Sequence, residues 1–235
     1  MSRPVSEEKR KALMEAAIDL FSIQGFHATP TQQISDRAGV SAGTLFRYFR
    51  TKEDLIDALY SSIHRALADV VDEAIRPGTP VEEQIKNVKR QVLHWMFEHP
   101  KQALFFERFA SSPNITNKAK EKISFHLSAL DELYQRGISR GILTGINREV
   151  FLANFWCPNF MLIHLYLFGR LQSGVEETIE QAVASMWSGM AQKEGDCRVR
   201  QGTWNRNRER LHGHPPASTG FPGLTEQDTR RTTRS

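Results

Sequence analysis

Apolar residues recur at helical spacing along the chain as far as about residue 190, and there the pattern stops. Leu13, Ala16, Ala17, Leu20 and Phe21 make one stripe, the mark of a helix with a single buried face. Leu55, Leu59, Ile63, Leu67 and Val70 make a second, which predicts a helix from about Lys52 to Ala74. Arg76-Pro77-Gly78-Thr79-Pro80 breaks it, and Val81, Ile85, Val88, Val92 and Met96 stripe a further helix that stops at His99-Pro100. A short aromatic helix is expected from Gln102 to Phe109, a loop at Ser111 to Asn114, and a helix from about Thr116 to Arg140. After a turn over Gly141 to Asn147 come two apolar helices, Arg148 to Leu171 and Glu176 to about Met190. Neither strand alternation nor an internal repeat stands out, so the expected class is all-α.

The stretch from Thr29 to Leu55 carries the densest local signals. Thr29 is a candidate N-cap, Pro30 fits a first helical position, and Gln32 sits where a capping box wants Glu or Gln. Gly39 supplies a left-handed residue that would end this helix at Ala38, and Ser41 can cap a second one from Ala42 to about Phe49. Thr51 and Asp54 form a capping box for the third. Ile34, Ala38, Val40, Leu45 and Phe49 have the spacing of a small shared core, which turns Gln32, Ala42, Gly43, Thr44, Phe46, Arg47 and Tyr48 outward. Two short helices joined by a tight glycine turn form a helix-turn-helix, which places one helix end in the major groove of DNA. Ala42 and Gly43 let that end approach another surface closely.

Ala38-Gly39-Val40-Ser41, then Gly43 to Phe49 and Lys52-Glu53, resemble the signature of the tetracycline-repressor (TetR/AcrR) family of bacterial transcriptional regulators. The resemblance is specific over residues 6–60. It implies a three-helix DNA-binding head followed by a larger helical ligand-binding and dimerisation domain. Gln32, Ala42, Gly43 and Phe46 match family positions that approach base edges, and Arg47 a variable neighbour. Thr31, Thr44, Tyr48 and Lys52 match positions that hold phosphates, and the cap Ser41 joins this DNA-binding set. Many members carry a long polar residue where this chain has Ala42, which shifts base reading to Gln32, Arg47 and Phe46. Arg47-Tyr48-Phe49 through Leu55 to Tyr60, with His94 to Pro100, is similar to the multidrug-efflux regulators of the family.

Charge agrees with this organisation. Residues 1–52 hold eight Lys/Arg against five Asp/Glu, residues 53–192 fourteen against seventeen, and residues 193–235 nine against five. The expected units are therefore a basic head (1–52, its third helix continuing to about 74), a mildly acidic body (53–192) and a basic tail (193–235). The tail is rich in Gly, Pro, Thr, Asn and Arg, and is expected to be disordered. Two cysteines, Cys157 and Cys197, make no disulfide framework, and the start of the chain lacks the apolar core of a signal peptide. A cytoplasmic location is the expectation.

Val150 to Phe168 approaches the length of a membrane span, but Pro158 interrupts it and Asn154, Asn159 and His164 point different ways at helical pitch. A buried, kinked helix is expected, with no membrane partner. The family resemblance makes 148–171 and 176–190 a homodimer interface, with Phe168, Leu171, Ile179, Val183, Trp187 and Met190 as contacts. A two-fold dimer would read a pseudo-palindromic operator of double-stranded DNA.

The aromatic load of the body suggests a pocket for a lipophilic aromatic or cationic small-molecule effector. Its candidate walls are Tyr60, Trp95, Phe105 and Phe109 on one side of the sequence, and Phe125, Phe155, Trp156 and Phe160 on the other. No histidine or cysteine spacing fits a metal site, and no phosphate loop or nucleophile elbow appears, so neither cofactor nor enzymatic activity is expected. The reading is a ligand-responsive repressor. A helical small-molecule carrier without specific DNA binding, or a DNA-binding relative with another role, are the alternatives.

Overall fold

The computed structural model describes residues 6–110, 128–143 and 145–191. In order these form α1 (Glu7–Gln24), α2 (Thr31–Arg37), α3 (Ala42–Tyr48), α4 (Lys52–Ala74), α5 (Val81–Glu98), α6 (Pro100–Ala110), α7 (Ser128–Ser139), α8 (Arg148–Leu167) and α9 (Val175–Met190). Among the described residues there is no strand, only an isolated antiparallel bridge between Leu143 and Ala191. The start of the helix expected at 116–140, the loop at 111–114, Phe125 and the tail lie outside the described residues.

Helix ends follow local chemistry closely. Ser41 Oγ accepts from the Thr44 amide at 3.2 Å and so caps α3. At α4 the expected capping box is complete, with Thr51 Oγ1 accepting from Asp54 N at 3.0 Å and Asp54 Oδ2 from Thr51 N at 3.1 Å. Thr51→Ala is expected to lower stability by about 1 kcal/mol, read as a shift in the urea midpoint. Gly39, at φ 68°, ends α2 by a Schellman closure, in which its own N–H reaches Asp36 O and that of Val40 reaches Ser35 O. Gly169, at φ 62°, closes α8 the same way, with Gly169 N to Tyr166 O and Arg170 N to Leu165 O. For that reason α8 stops at Leu167 rather than at the expected Leu171.

One helix start differs from the expectation. Pro30, not Thr29, is the N-cap of α2, and no side chain caps it. Thr29 is fully buried and donates to Gly25 O at 2.7 Å. Gln32 lies one residue too early for a capping box and donates instead to Asp36 Oδ1 at 2.7 Å.

One cluster of buried side chains runs from Leu13 in α1 to Met190 in α9. Within the head, Leu13, Ala17, Ile34, Leu45 and Phe49 are buried together, as the periodicity predicts. In the body α5 packs on α4, α7, α8 and α9, and α6 packs on α8. The head is joined to the body twice, through the length of α4 and through a seam of α1 against α6. In that seam Phe21 meets Phe105 and Phe109, with ring centroids 6.2 and 6.0 Å away.

Helix α8 is long and apolar enough to cross a membrane by length and composition, yet only 28% of its apolar window is buried. The expectation of a helix enclosed by its domain therefore holds for one face. Phe151, Phe155, Asn159 and Ile163 point inward, while Val150, Met161, Tyr166, Leu167 and Phe168 are exposed.

Candidate nucleic-acid interface and effector cavities

Helix α3 shows how the head separates packing from reading. Leu45 faces in and is fully buried, while Phe46 is 46% exposed and Arg47 is exposed on the opposite face. Gly43 is exposed, and a Cβ built on it would meet nothing within 4 Å. Its value therefore lies in what can approach from outside, not in internal packing. The Arg47 guanidinium sits 5.8 Å from the centroid of the Tyr48 ring. Thr31 and Ala42 are half-buried, at the first positions of α2 and α3.

Five residues of the expected DNA-binding set already hold partners within the protein. Gln32 bonds Asp36, and the hydroxyls of Thr44 and Ser41 lie 2.9 Å apart. Tyr48 Oη accepts from Ser6 N at 2.8 Å and donates to Ser6 O at 3.0 Å, which fastens the reading helix to the start of α1. Lys52 does not project freely beside α4. Its ammonium donates to Phe26 O and lies 4.2 Å from the centroid of the Phe26 ring, and burial lowers its pKa. Lys52 thus closes the head, and its approach to a phosphate would exchange one of these contacts.

The expected aromatic pocket is dispersed. Phe105 and Phe109 belong to the α1–α6 seam, Phe155 faces α5, and Trp95 lines clefts on the far side of α5. Only Trp156 and Phe160 share a cavity, of about 420 Å³, with Phe106, Leu152 and Cys157. Tyr60 stacks on Phe106, ring centroids 5.1 Å apart and 9° from parallel, and so supports that wall from behind. Burial pushes the Tyr60 phenol up to about 12. Glu107, Asp131 and Arg148 complete the lining. Arg148 makes a two-pronged contact with Asp131 at 2.7 Å, and Glu107 lies 3.0 Å from His164.

The residues expected to meet a second protomer also divide. Ile179, Val183 and Met190 are buried inside the protomer, because α9 turns that face to α5. Trp187 is half-buried beneath Lys86, whose ammonium lies 5.0 Å from its ring centroid. Leu171 is half-buried, and Phe168 is 71% exposed.

Two polar clusters escaped the sequence reading. Asp19 on α1 accepts from Arg37 of α2 at 2.5 Å and from Lys101 of α6 at 2.6 Å, and the Lys101 hydrogen bond leads in lowering its pKa. Lys89 on α5 is 1% exposed, and its ammonium donates to Phe155 O and Asn159 Oδ1 of α8. The signal for Lys89 was present in its spacing, four residues after Ile85 on the apolar stripe.

A reading helix set against a small core, coupled to a helical body with clefts between its helices, defines a helix-turn-helix regulator. Residues 13–59 match the model of the bacterial regulatory proteins of the tetR family. The HTH-type transcriptional regulator RutR of Escherichia coli (strain K12) is 30% identical over 160 residues, spanning 66% of this chain and 73% of its own. A TetR family transcription regulator from Marinobacter aquaeolei VT8 has the same fold, with a TM-score of 0.72 over 80% of this chain and 97% of its own, at 22% identity. FadR from Bacillus subtilis, solved in complex with stearoyl-CoA, aligns with a TM-score of 0.61 over 77% of this chain and 98% of its own, at 18% identity. The chain belongs to the TetR family of transcriptional regulators, with a DNA-binding helix-turn-helix domain. None of these three relatives is named as an efflux regulator, so they lend no support to that branch.

Proposed function

We propose that the protein is a cytoplasmic, dimeric repressor that leaves a pseudo-palindromic operator when a small molecule occupies its body. The observation that carries this is α3, whose inward Leu45 is core while Gly43, Phe46 and Arg47 are open to an incoming groove. The units are those of the charge pattern: a head to residue 52, a body to 192 and a basic tail. Dimerisation uses the uncovered face of α8, whose exposed Val150, Met161 and Phe168 are costly to leave in water. Leu171 and Trp187 flank that face, and Ile179, Val183 and Met190 support it from within. The effector occupies the cavity of Phe106, Trp156 and Phe160, where flat apolar rings stack and Glu107 favours a cationic group.

Helix α6 joins the two functions. Phe106 and Glu107 line the cavity, while Lys101, Phe105 and Phe109 hold α1. A ligand that fits only one placement of α6 would bias Asp19 and, through it, Arg37 on α2. Only differential affinity for two states does this; tight binding alone does not.

The test is binding of the purified protein to a labelled duplex from upstream of its own gene, titrated against salt and competitor DNA. Two protomers per site with sequence-dependent affinity are expected. Arg47→Ala and Gln32→Ala should relax sequence preference by roughly 1–3 kcal/mol where the contact is bidentate. Sequence-blind binding that vanishes with salt would refute the repressor reading.

A further inference from the structure

Helix α1 seals against α6 through the Phe21 seam, but along α4 it leaves a cleft of about 590 Å³ between head and body. Met14 and Ile18 of α1, Leu59 and Ile63 of α4 and Trp95 of α5 give it an apolar lining. From Glu7 to Ile18, at the helical rise, α1 walls the cleft for roughly 16 Å. Trp95 is the unusual member. Val92 and Met96 are buried on the apolar stripe of α5, whereas Trp95 lies off that stripe, half-buried, its ring centroid 4.9 Å from that of His99. Its indole is thus only partly used in packing and is open to the cleft.

The charges around this cleft are unequal. Glu7, Glu8 and Glu15 stand against Arg10 and Lys11. Lys11 lies 3.8 Å from Glu15, and the Arg10 guanidinium sits over the Phe49 ring, 5.7 Å from its centroid. Among the described residues Glu7 and Glu8 form no ion pair. Their place in the first turn of α1 suits the helix dipole, and both are exposed to an incoming cation. We propose that the cleft binds an elongated organic cation, its apolar body along Met14, Ile18 and Trp95 and its ammonium at Glu7 and Glu8. An aromatic body suits the indole, because ring contacts add to the area buried. A carboxylate is the wrong ligand, since the rim already carries an excess of negative charge. The site is separate from the cavity of Phe106, Trp156 and Phe160, and it touches the head directly. A ligand there bridges α1 of the head and α5 of the body, and so favours whichever head placement keeps the cleft at this width.

The full chain, with isotope-labelled indoles and no DNA, is titrated with phenylbutylammonium, phenylbutanol and phenylbutanoate while its magnetic resonance spectrum is recorded. The Trp95 indole N–H signal, identified by its loss in Trp95→Phe, is expected to shift saturably. The ammonium should bind about fivefold tighter than the alcohol, and the acid weakest. Glu8→Lys turns the negative excess of the rim into a positive one, so it should reverse the order of ammonium and acid. Alcohol binding should stay unchanged in that variant, which also shows that it has folded. Trp156 reports on the effector cavity separately, so either site can fail without the other. An unmoved Trp95 signal, equal affinity for the three compounds, or an order that Glu8→Lys leaves intact would each overturn the site. A Trp95 signal that moves with protein concentration instead of ligand would give the cleft to a second copy of the chain, and would overturn it as well.

Discussion

Phe21→Ala is expected to lower the stability of the protein by about 3–5 kcal/mol, the range for deleting a fully buried aromatic ring. Phe21 has no solvent exposure, and its ring touches the rings of Phe26, Phe105 and Phe109. The Lys52 ammonium lies 5.7 Å from its centroid. Its carbonyl is also in use, accepting from Gly25 N and from Arg108 Nη1. It holds three elements together, since it sits on α1, under the entry to α4, and against α6. The measurement is urea unfolding of the variant, followed by far-ultraviolet circular dichroism. A double-mutant cycle with Phe105→Ala isolates the seam, with a coupling of roughly 0.5–1.5 kcal/mol expected for one aromatic pair. A loss under about 1 kcal/mol for Phe21→Ala, or a coupling near zero, would mean that α1 and α6 do not pack in solution.

That seam also marks where the sequence stops being legible. Caps, turn glycines and apolar period are local, so they placed α1 to α6 within a few residues and predicted the box at Thr51 and Asp54. The error at Thr29 is local too. A threonine ahead of a proline satisfies the capping pattern, but in the fold its hydroxyl is better used on Gly25 O. Which aromatic meets which is a different kind of information. Phe105 and Phe106 are neighbours in sequence and face opposite ways, one to the head and one to the cavity. Helical pitch separates them, but it names neither destination. The same limit applies to α9, where Ile179 and Val183 share a stripe that could equally face α5 or a second protomer. For the head, pattern sufficed because a seven-residue helix has one inward face and little choice of partner. The partners already held by Tyr48 and Lys52 were beyond it, since Ser6 and Phe26 lie 42 and 26 residues away in sequence.

Lys89→Met should produce a stability difference that is small in acid and grows as pH rises. Burial pushes the Lys89 amine down to about 7, against about 10.4 for an unperturbed lysine. The folded chain therefore releases this proton more readily than the unfolded chain. Between the two values the unfolded state binds more protons, so this residue makes stability rise with pH. Below the folded value both states are protonated, and the full cost of the buried charge is present. Relative to Lys89→Met, the unmodified protein should gain roughly 2–4 kcal/mol between about pH 7 and about pH 10. Methionine has nearly the same reach and no charge, but it leaves Phe155 O and Asn159 Oδ1 without their donor, at roughly 1–3 kcal/mol each. At the acid end the removed desolvation and the orphaned acceptors nearly offset each other. At the alkaline end only the lost hydrogen bonds remain, and the variant is the weaker protein. Subtracting one urea series from the other cancels the titrations common to both. Parallel curves would show that the amine keeps an ordinary pKa in the fold.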